Sequence, residues 1–175
     1  MKKPIVIYGG SCTGKTSVAS SLAKLTGMAT RHCGQLVWER ARVLNLSSAE
    51  ELPDEEHRAI DSETQRLAAM ETPVIIEGRF LDQVLGECGR VLFVHLTCNR
   101  AVRQERLEAS RPRTRVAESI EQRDKADAHF RSRHYLSPSN FFVASTVTLD
   151  TTWQSIDECA KAIMRHFARC SNDEV

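Results

Sequence analysis

The chain has 175 residues, with 24 Lys and Arg against 23 Asp and Glu and a formal net charge of +1. This length and the 41% of hydrophobic residues indicate a single globular domain and exclude a disordered chain. The near-zero charge balance gives no reason to expect a nucleic-acid or membrane partner, and we expect a monomer.

No apolar run approaches the roughly 20 residues that a membrane span requires. The run after Pro4 is also shorter than the core of a signal peptide. We therefore expect a cytoplasmic protein. The six cysteines are scattered without a C-x-x-C pair, which predicts free thiols and neither disulfides nor a zinc site.

Hydrophobic patterns predict alternating strands and helices in the first half of the chain. They place a strand at Ile5–Tyr8, helices at about 15–25, 36–46 and 54–70, a strand at 74–77 and a short helix at 80–85. The helical stretch at about 34–70 is long for one connection between parallel strands. We therefore expect it to form a lobe on one side of the sheet.

The second half continues the alternation. The predicted elements are a strand at 91–96, helices at about 100–109 and 116–133, a turn at 137–140, a strand at 142–149 and a final helix after residue 152. Trp153 falls on the apolar stripe of that last helix and is predicted to be a core residue. The alternation predicts an α/β fold with a mostly parallel sheet.

One motif carries a specific chemistry. The stretch that matches G-x-x-x-x-G-K-[ST] consists of Gly9, Gly10, Ser11, Cys12, Thr13, Gly14, Lys15 and Thr16. A buried strand precedes it and an amphipathic helix follows it, which is the context of a P-loop. Backbone N–H groups of such a loop, with the positive end of the following helix, bind phosphates. The motif predicts a nucleoside triphosphate, ATP, as ligand.

Individual roles follow from this motif. Lys15 is predicted to bridge the β- and γ-phosphates, and the Thr16 hydroxyl is predicted to hold Mg²⁺. A second acidic ligand is expected at the end of a nearby strand, and Glu77 is the best candidate. The alternative is that Glu77 is an exposed carboxylate at the end of a strand.

Arginines are concentrated after the third predicted strand, at 91–96. Arg103 and Arg106 are three residues apart and share one helix face, and the loop that follows is basic. The cluster consists of Arg100, Arg103, Arg106, Arg111, Arg113 and Arg115. Such arginines can neutralise the charge of a transferred phosphoryl group from a mobile lid, here at about 103–133. The alternative is a solvated basic face. Nucleic-acid binding fits less well, because acidic residues interleave and no aromatic residue lies among the arginines.

Together these residues resemble the short cytidylate kinases, most closely the archaeal type, within the P-loop nucleoside monophosphate kinase superfamily. The resemblance runs from Ile5 to about Ile163. It rests on the P-loop, Ile76-Glu77-Gly78-Arg79, Arg103-x-x-Arg106, Arg123-Asp124-x-x-Asp127 and Leu149-Asp150-Thr151-Thr152.

This resemblance implies a three-layer fold, with a five-stranded parallel sheet flanked by helices in one domain. It also implies an acceptor-binding helical lobe at about 34–70 and an arginine-rich lid. The activity it implies is transfer of the ATP γ-phosphate to CMP or dCMP with Mg²⁺. The residue roles it implies are Arg103, Arg106 and Arg123 near the phosphates, Thr151 in the ATP site, Arg79 on the acceptor's phosphate and Asp127 near the acceptor nucleoside. On spacing alone, Arg123 and Asp127 could instead pair with each other.

The sequence departs from this family at two positions. Trp38 stands where the family tends to have an arginine that grips the acceptor phosphate, and Arg40 or Arg42 could replace it from the next turn. The Trp38 indole could stack on a base or pack against the core. Phe130 stands where another arginine is common, with Arg131 beside it.

Two other functions stay open at this stage. A kinase of a nucleoside or another small hydroxyl compound needs a general base, for which Glu77 and Asp61 are candidates. A nucleotide-dependent switch protein with slow hydrolysis is the second alternative. The arginines within the chain argue against a switch, since a switch more often receives this residue from a partner.

Overall fold

The computed structural model describes residues 3–86, 88, 91–110, 119–135 and 146–172. Four predicted features lie wholly or partly outside these residues. They are the lid arginines Arg111, Arg113 and Arg115, the start of the helix at about 116–133, the turn at 137–140 and the first part of the predicted last strand.

Five parallel strands form one sheet in the order β2-β3-β1-β4-β5, which confirms the predicted fold class. The strands are β1 (Ile5–Tyr8), β2 (Ala29–His32), β3 (Val74–Gly78), β4 (Leu92–Thr97) and β5 (Thr146–Asp150). Because all strands are parallel, their carboxyl ends meet at one edge of the sheet, where open α/β sheets bind ligands.

Seven helices and one short 3-10 helix are present among the described residues. The helices are α1 (Lys15–Thr26), α2 (Cys33–Val43), α3 (Asp54–Ala69), α4 (Leu81–Leu85), α5 (Arg100–Ala109), α6 (Ile120–His134) and α7 (Ile156–Asn172), and the 3-10 helix is Ala49–Glu51. None of these helices combines the length and the apolar character that crossing a membrane requires.

Two predictions from the patterns need correction. The strand β2 was not predicted, because three of the four residues of Ala29–His32 are polar, charged or titratable and the segment contains no apolar run. Trp153 was predicted to lie in the core, but it precedes α7 and is 85% exposed.

Hydrophobic side chains cover both faces of the sheet. One cluster, which includes Val18, Leu22 and Ile163, lies where α1 and α7 pack, and another, which includes Leu81 and Phe93, lies on the opposite face. A third, smaller cluster joins α2, α3 and the segment between them. This third cluster gives the stretch predicted as a helical lobe its own packing and holds that lobe beside the ligand-binding edge.

Candidate active site

The P-loop joins β1 to α1 with two glycines in conformations that favour glycine. Gly9 has φ of 146°, and a Cβ atom there would lie 2.2 Å from the backbone oxygen of Leu96. Gly14 has φ of 88° and caps α1 with a left-handed conformation. Side chains at these positions are therefore excluded by sterics and strain, and the loop keeps its close approach to β4.

Lys15 crosses this loop. Its Nζ donates a hydrogen bond to the carbonyl oxygen of Gly10 at 2.7 Å, and Thr13 Oγ1 donates to the same oxygen at 3.0 Å. Burial lowers the pKa of Lys15 to about 8, while the Glu77 carboxylate opposes this shift. The loop is thus folded around a buried amine.

This buried amine predicts proton uptake on nucleotide binding. Above pH 8 the ligand-free Lys15 is mostly neutral, and a bound phosphate favours its charged form. ADP binding at pH 9 should therefore take up as much as about one proton, and clearly less at pH 7. Calorimetry in buffers of different protonation enthalpy measures this number. Equal uptake at both pH values would contradict the assignment.

Three side chains meet behind the first turn of α1. Thr16 Oγ1 donates to Glu77 Oε1 at 3.1 Å, and His32 Nδ1 lies 3.0 Å from the same oxygen. Glu77 is only 6% exposed, so it is not the exposed strand-end carboxylate of the alternative interpretation. The hydroxyl and the carboxylate are hard oxygen donors beside a phosphate-binding loop, a donor set that fits Mg²⁺.

Arg103 connects α5 and α6 to the P-loop. Its Nε donates to the carbonyl oxygen of Ser11 at 2.7 Å, and its two terminal nitrogens donate to Asp124 at 2.6 and 3.1 Å. A Cβ atom at Gly10 would lie 3.1 Å from the same guanidinium. Arg103 therefore borders the phosphate-binding loop, as its predicted role near the phosphates requires.

Arg106 joins the P-loop to the loop after β5. Its guanidinium donates to the Thr151 carbonyl oxygen at 2.6 Å, to Thr151 Oγ1 at 3.0 Å and to the Cys12 carbonyl oxygen at 3.4 Å. Thr151 is 4% exposed, and its Oγ1 lies 2.9 Å from the carbonyl oxygen of Thr13. These bonds give Arg106 a structural task that the sequence did not predict.

A stability prediction follows from these bonds. Replacing Arg106 with alanine should lower the free energy of unfolding by about 2 kcal/mol, because charged hydrogen bonds to carbonyl oxygens are lost. Arg100→Ala is the control, since Arg100 pairs with Glu121 on the surface and should change stability by at most about 0.5 kcal/mol. Urea unfolding compares the two, and equal effects would contradict the structural role.

A cleft of about 690 Å³ opens from the P-loop towards the helical lobe. Its lining combines the predicted phosphate-binding residues with charged and aromatic residues from α2, α3, α6 and the end of β3. Among these are Ser11, Cys12, Lys15, Thr16, Trp38, Asp61, Glu77, Arg79, Phe80, Arg123, Asp127 and Phe130. The structure thus brings nine of the predicted site residues into one continuous space, whereas Arg103, Arg106 and Thr151 do not line it.

Arg79 and Asp127 form an ion pair in the lining of this cleft. Arg79 Nη1 donates to Asp127 Oδ1 at 2.5 Å. Burial raises the pKa of Asp127, and Arg79 opposes that rise. The Asp127 carboxylate raises the pKa of Lys15 and the Arg79 guanidinium lowers it. Asp127, which spacing could have paired with Arg123, is therefore held by Arg79.

Phe130 belongs to an aromatic column rather than to a cationic site. Its ring stacks on Phe80 with centroids 5.0 Å apart and on His134 at 4.0 Å. His57 of α3 meets the same ring edge-on at 4.8 Å. The column links α6 to the helical lobe across the cleft. Arg131, beside Phe130, donates to Asp82 at 2.7 Å outside the cleft lining.

Trp38 and the two arginines that could replace the family's arginine differ in position. Trp38 lines the cleft and is 46% exposed, so it is not packed in the core. Arg40 donates to Glu56 at 3.4 Å and, like the exposed Arg42, does not line the cleft. The structure therefore does not place either arginine in the cleft where an acceptor phosphate would bind.

Asp61 contributes a carboxylate to the part of the cleft lining that comes from α3. Burial raises the pKa of Asp61, and the hydroxyl of Tyr135 donates to Asp61 Oδ2 at 3.1 Å. Sequence reasoning missed Tyr135, Asp124 and His32 as residues that contact the site. No local motif marks Tyr135 or His32, but Asp124 lies within the Arg123-Asp124 pair already singled out.

Comparisons with known proteins concern the family and the fold. A family model described as the AAA domain matches residues 5–126. No curated protein sequence matches the chain. Solved structures similar to the chain include a gluconokinase from Sinorhizobium meliloti 1021, with 20% identity over 98% of this chain and 95% of that chain and a TM-score of 0.65.

Two further kinases have the same fold. A shikimate kinase from Acinetobacter baumannii in complex with shikimate is 20% identical over 99% of this chain and 96% of its own, with a TM-score of 0.61. A sugar kinase from Janibacter sp. HTCC2649 is 18% identical over 96% and 95%, with a TM-score of 0.59. At these identities, the likeness concerns the fold, which is that of P-loop kinases.

Proposed function

This chain belongs to the AAA domain family, and from that premise and the site geometry we propose that it is an ATP-dependent kinase of a small molecule. The acceptor we propose is a pyrimidine nucleoside monophosphate, with CMP or dCMP preferred. The observation that carries the proposal is the continuous cleft, which is lined by P-loop residues and by Trp38, Arg79 and Asp127. We call its P-loop side the donor half and the side of Trp38, Arg79 and Asp127 the acceptor half.

The donor half of the cleft suits the phosphates of ATP. Lys15 supplies the buried cation, and Arg103 borders the loop through its bond to Ser11. Thr16 and Glu77 would hold Mg²⁺, which when bound neutralises phosphate charge. Arg123 also lines the cleft and could face the transferred group. These residues bind and orient phosphates rather than take part in covalent chemistry.

The acceptor half suits an anionic group. Arg79 lies at the carboxyl end of β3, 45% exposed, and its partner Asp127 can be replaced by a phosphate. An oxygen of that phosphate would attack the γ-phosphorus while the bond to the β,γ-bridging oxygen breaks and ADP leaves. The attacking oxygen is already ionised, so no general base is required. The partly exposed Trp38 supplies an aromatic surface for a base.

A small hydroxyl compound is the second candidate acceptor, and Asp61 is the observation that favours it. Its carboxylate lies in the cleft wall, and its raised pKa makes it a better proton acceptor when ionised. The solved structures named gluconokinase, shikimate kinase and sugar kinase share this fold. An acceptor of this class would transfer its hydroxyl proton to Asp61.

An ADP-release assay with ATP and Mg²⁺ separates these functions. The acceptor panel is CMP, dCMP, UMP, AMP, cytidine, gluconate and shikimate. CMP and cytidine form the sharpest pair because they differ only in the phosphate. We expect CMP or dCMP to give the fastest release and cytidine to give none above the acceptor-free rate.

Two results would contradict the proposal. Phosphorylation of cytidine or of a sugar acid, with every monophosphate inert, would favour the hydroxyl acceptor and make Asp61 the residue to replace next. ADP release that no acceptor increases would instead favour a nucleotide-dependent switch.

A further inference from the structure

His32 lies where the pairing of β2 with β3 brings it against Glu77. In the parallel register of these strands, His32 is the direct partner of Glu77. Their side chains leave the same face of the sheet, and His32 Nδ1 lies 3.0 Å from Glu77 Oε1. The Glu77 side chain is 8% exposed and that of His32 is 24% exposed. This contact is thus sheltered and borders the donor half of the cleft.

The two hydrogen bonds of Glu77 end on the same oxygen. Thr16 Oγ1 and His32 Nδ1 both contact Oε1. Within the described part of the chain, Oε2 has no hydrogen-bond partner, although Glu77 lines the cleft. A carboxylate is acceptor-only, so Nδ1 of His32 carries the proton in this contact. The imidazole therefore restrains one oxygen of Glu77 and leaves the other available.

The bond from Thr16 adds to this arrangement. Because its hydroxyl proton is directed at Glu77, the lone pairs of Thr16 Oγ1 are directed away from the carboxylate. Thr16 Oγ1 and a carboxylate oxygen of Glu77 can bind the same cation only if the long Glu77 side chain keeps its orientation. Hydrogen bonds to metal-ligating carboxylates provide such orientation, and removing them typically costs about 10- to 100-fold in metal affinity.

We propose that His32 is a positioning residue that holds Glu77 in the orientation required for the divalent cation of the nucleotide. This inference rests on the donor half of the proposed function and is independent of the acceptor. It assigns a role to β2 that no motif in the sequence indicates. His32 itself does not contact the phosphates in this proposal, and it acts only through Glu77.

The test measures ADP binding with and without Mg²⁺ by calorimetry, and it requires no acceptor and no turnover. For the wild-type protein, the ratio of the two dissociation constants reports how much Mg²⁺ increases the affinity for ADP. His32→Ala should reduce that ratio about tenfold and leave the affinity for metal-free ADP unchanged. Glu77→Gln provides the reference for loss of the carboxylate.

Two conservative variants separate positioning from a merely structural role. In His32→Asn, the side-chain amide nitrogen can occupy nearly the place of Nδ1, so this variant should retain the wild-type ratio within about threefold. His32→Gln extends the amide beyond that place and should behave like His32→Ala. Circular dichroism and thermal melting check that each variant is folded.

Each possible outcome decides the inference. An unchanged ratio in His32→Ala and His32→Gln, or failure of a folded His32→Asn to retain the ratio, overturns the positioning role. If His32→Ala does not fold, the Asn and Gln pair still decides it. A wild-type protein whose ADP affinity does not depend on Mg²⁺ also overturns it. A different combination of results would separate the two proposals. If the His32 variants change the ratio as expected but no acceptor is phosphorylated, this inference stands and the proposed function is contradicted.

Discussion

Replacing Lys15 with alanine should lower the rate of ATP-dependent transfer by about 10³-fold or more while the protein remains folded. Lys15 Nζ lies inside the P-loop, 2.7 Å from the Gly10 carbonyl oxygen. An alanine side chain at this position has no amine that could bind the Gly10 carbonyl oxygen or a phosphate. Because burial lowers the pKa of Lys15 to about 8, folding disfavours the charged form of its amine relative to the unfolded chain. We therefore expect the loss in function rather than in stability.

Lys24→Ala is the matched control for this prediction. Lys24 lies on the same helix, in its exposed last turn, and has no part in the P-loop. Turnover, circular dichroism and the melting temperature are measured for both variants. Turnover of a folded Lys15→Ala within a few-fold of the wild-type rate would remove the P-loop from the proposed mechanism.

The parts of the fold that the sequence predicts well are those with strong local signals. The runs at β1, β3 and β4 are apolar because both faces of these strands are covered by helices. The P-loop residues between β1 and α1 have a spacing that few other structures require. Local pattern and tertiary structure agree at these positions.

β2 shows why part of the fold could not be predicted. It is an edge strand with intermediate or greater exposure throughout, so its residues carry no hydrophobic pattern. Its position depends on pairing with β3, more than 40 residues later in the chain. The contact between His32 and Glu77 exists only because of that pairing, and sequence spacing contains no signal for it.

The arginine cluster shows the same limit at the level of side chains. Spacing predicted that Arg103 and Arg106 share a helix face, and both lie beside the P-loop. It did not predict their partners, because Asp124 and Thr151 come from distant elements. Arg106 therefore combines a predicted place near the phosphates with bonds that hold the loop after β5. A loss of turnover in an Arg106 variant alone would not distinguish these roles, which is why its stability must be measured as well.

The prediction that Trp153 lies in the core was wrong, although the helical spacing of apolar residues in α7 was correct. The apolar stripe of α7 includes Ala160, Ile163 and Phe167, which are buried. Extending the same period backwards includes Trp153, but the helix begins only at Ile156. Element boundaries depend on capping and on the preceding loop, so a stripe does not show where its helix starts.

Arg79→Ala should raise the KM for the acceptor monophosphate by about 10²-fold, with the ATP affinity nearly unchanged, because a charge-assisted hydrogen bond to the acceptor is lost. Arg131→Ala is a closely matched control. The two guanidiniums lie at the same 5.5 Å from the Phe80 ring centroid, and each is paired with an aspartate, but only Arg79 lines the cleft. Steady-state kinetics with CMP or dCMP and calorimetry with ATP measure the two effects. Equal KM values for both variants would show that general loss of charge or packing near Phe80, rather than acceptor binding by Arg79, explains the change.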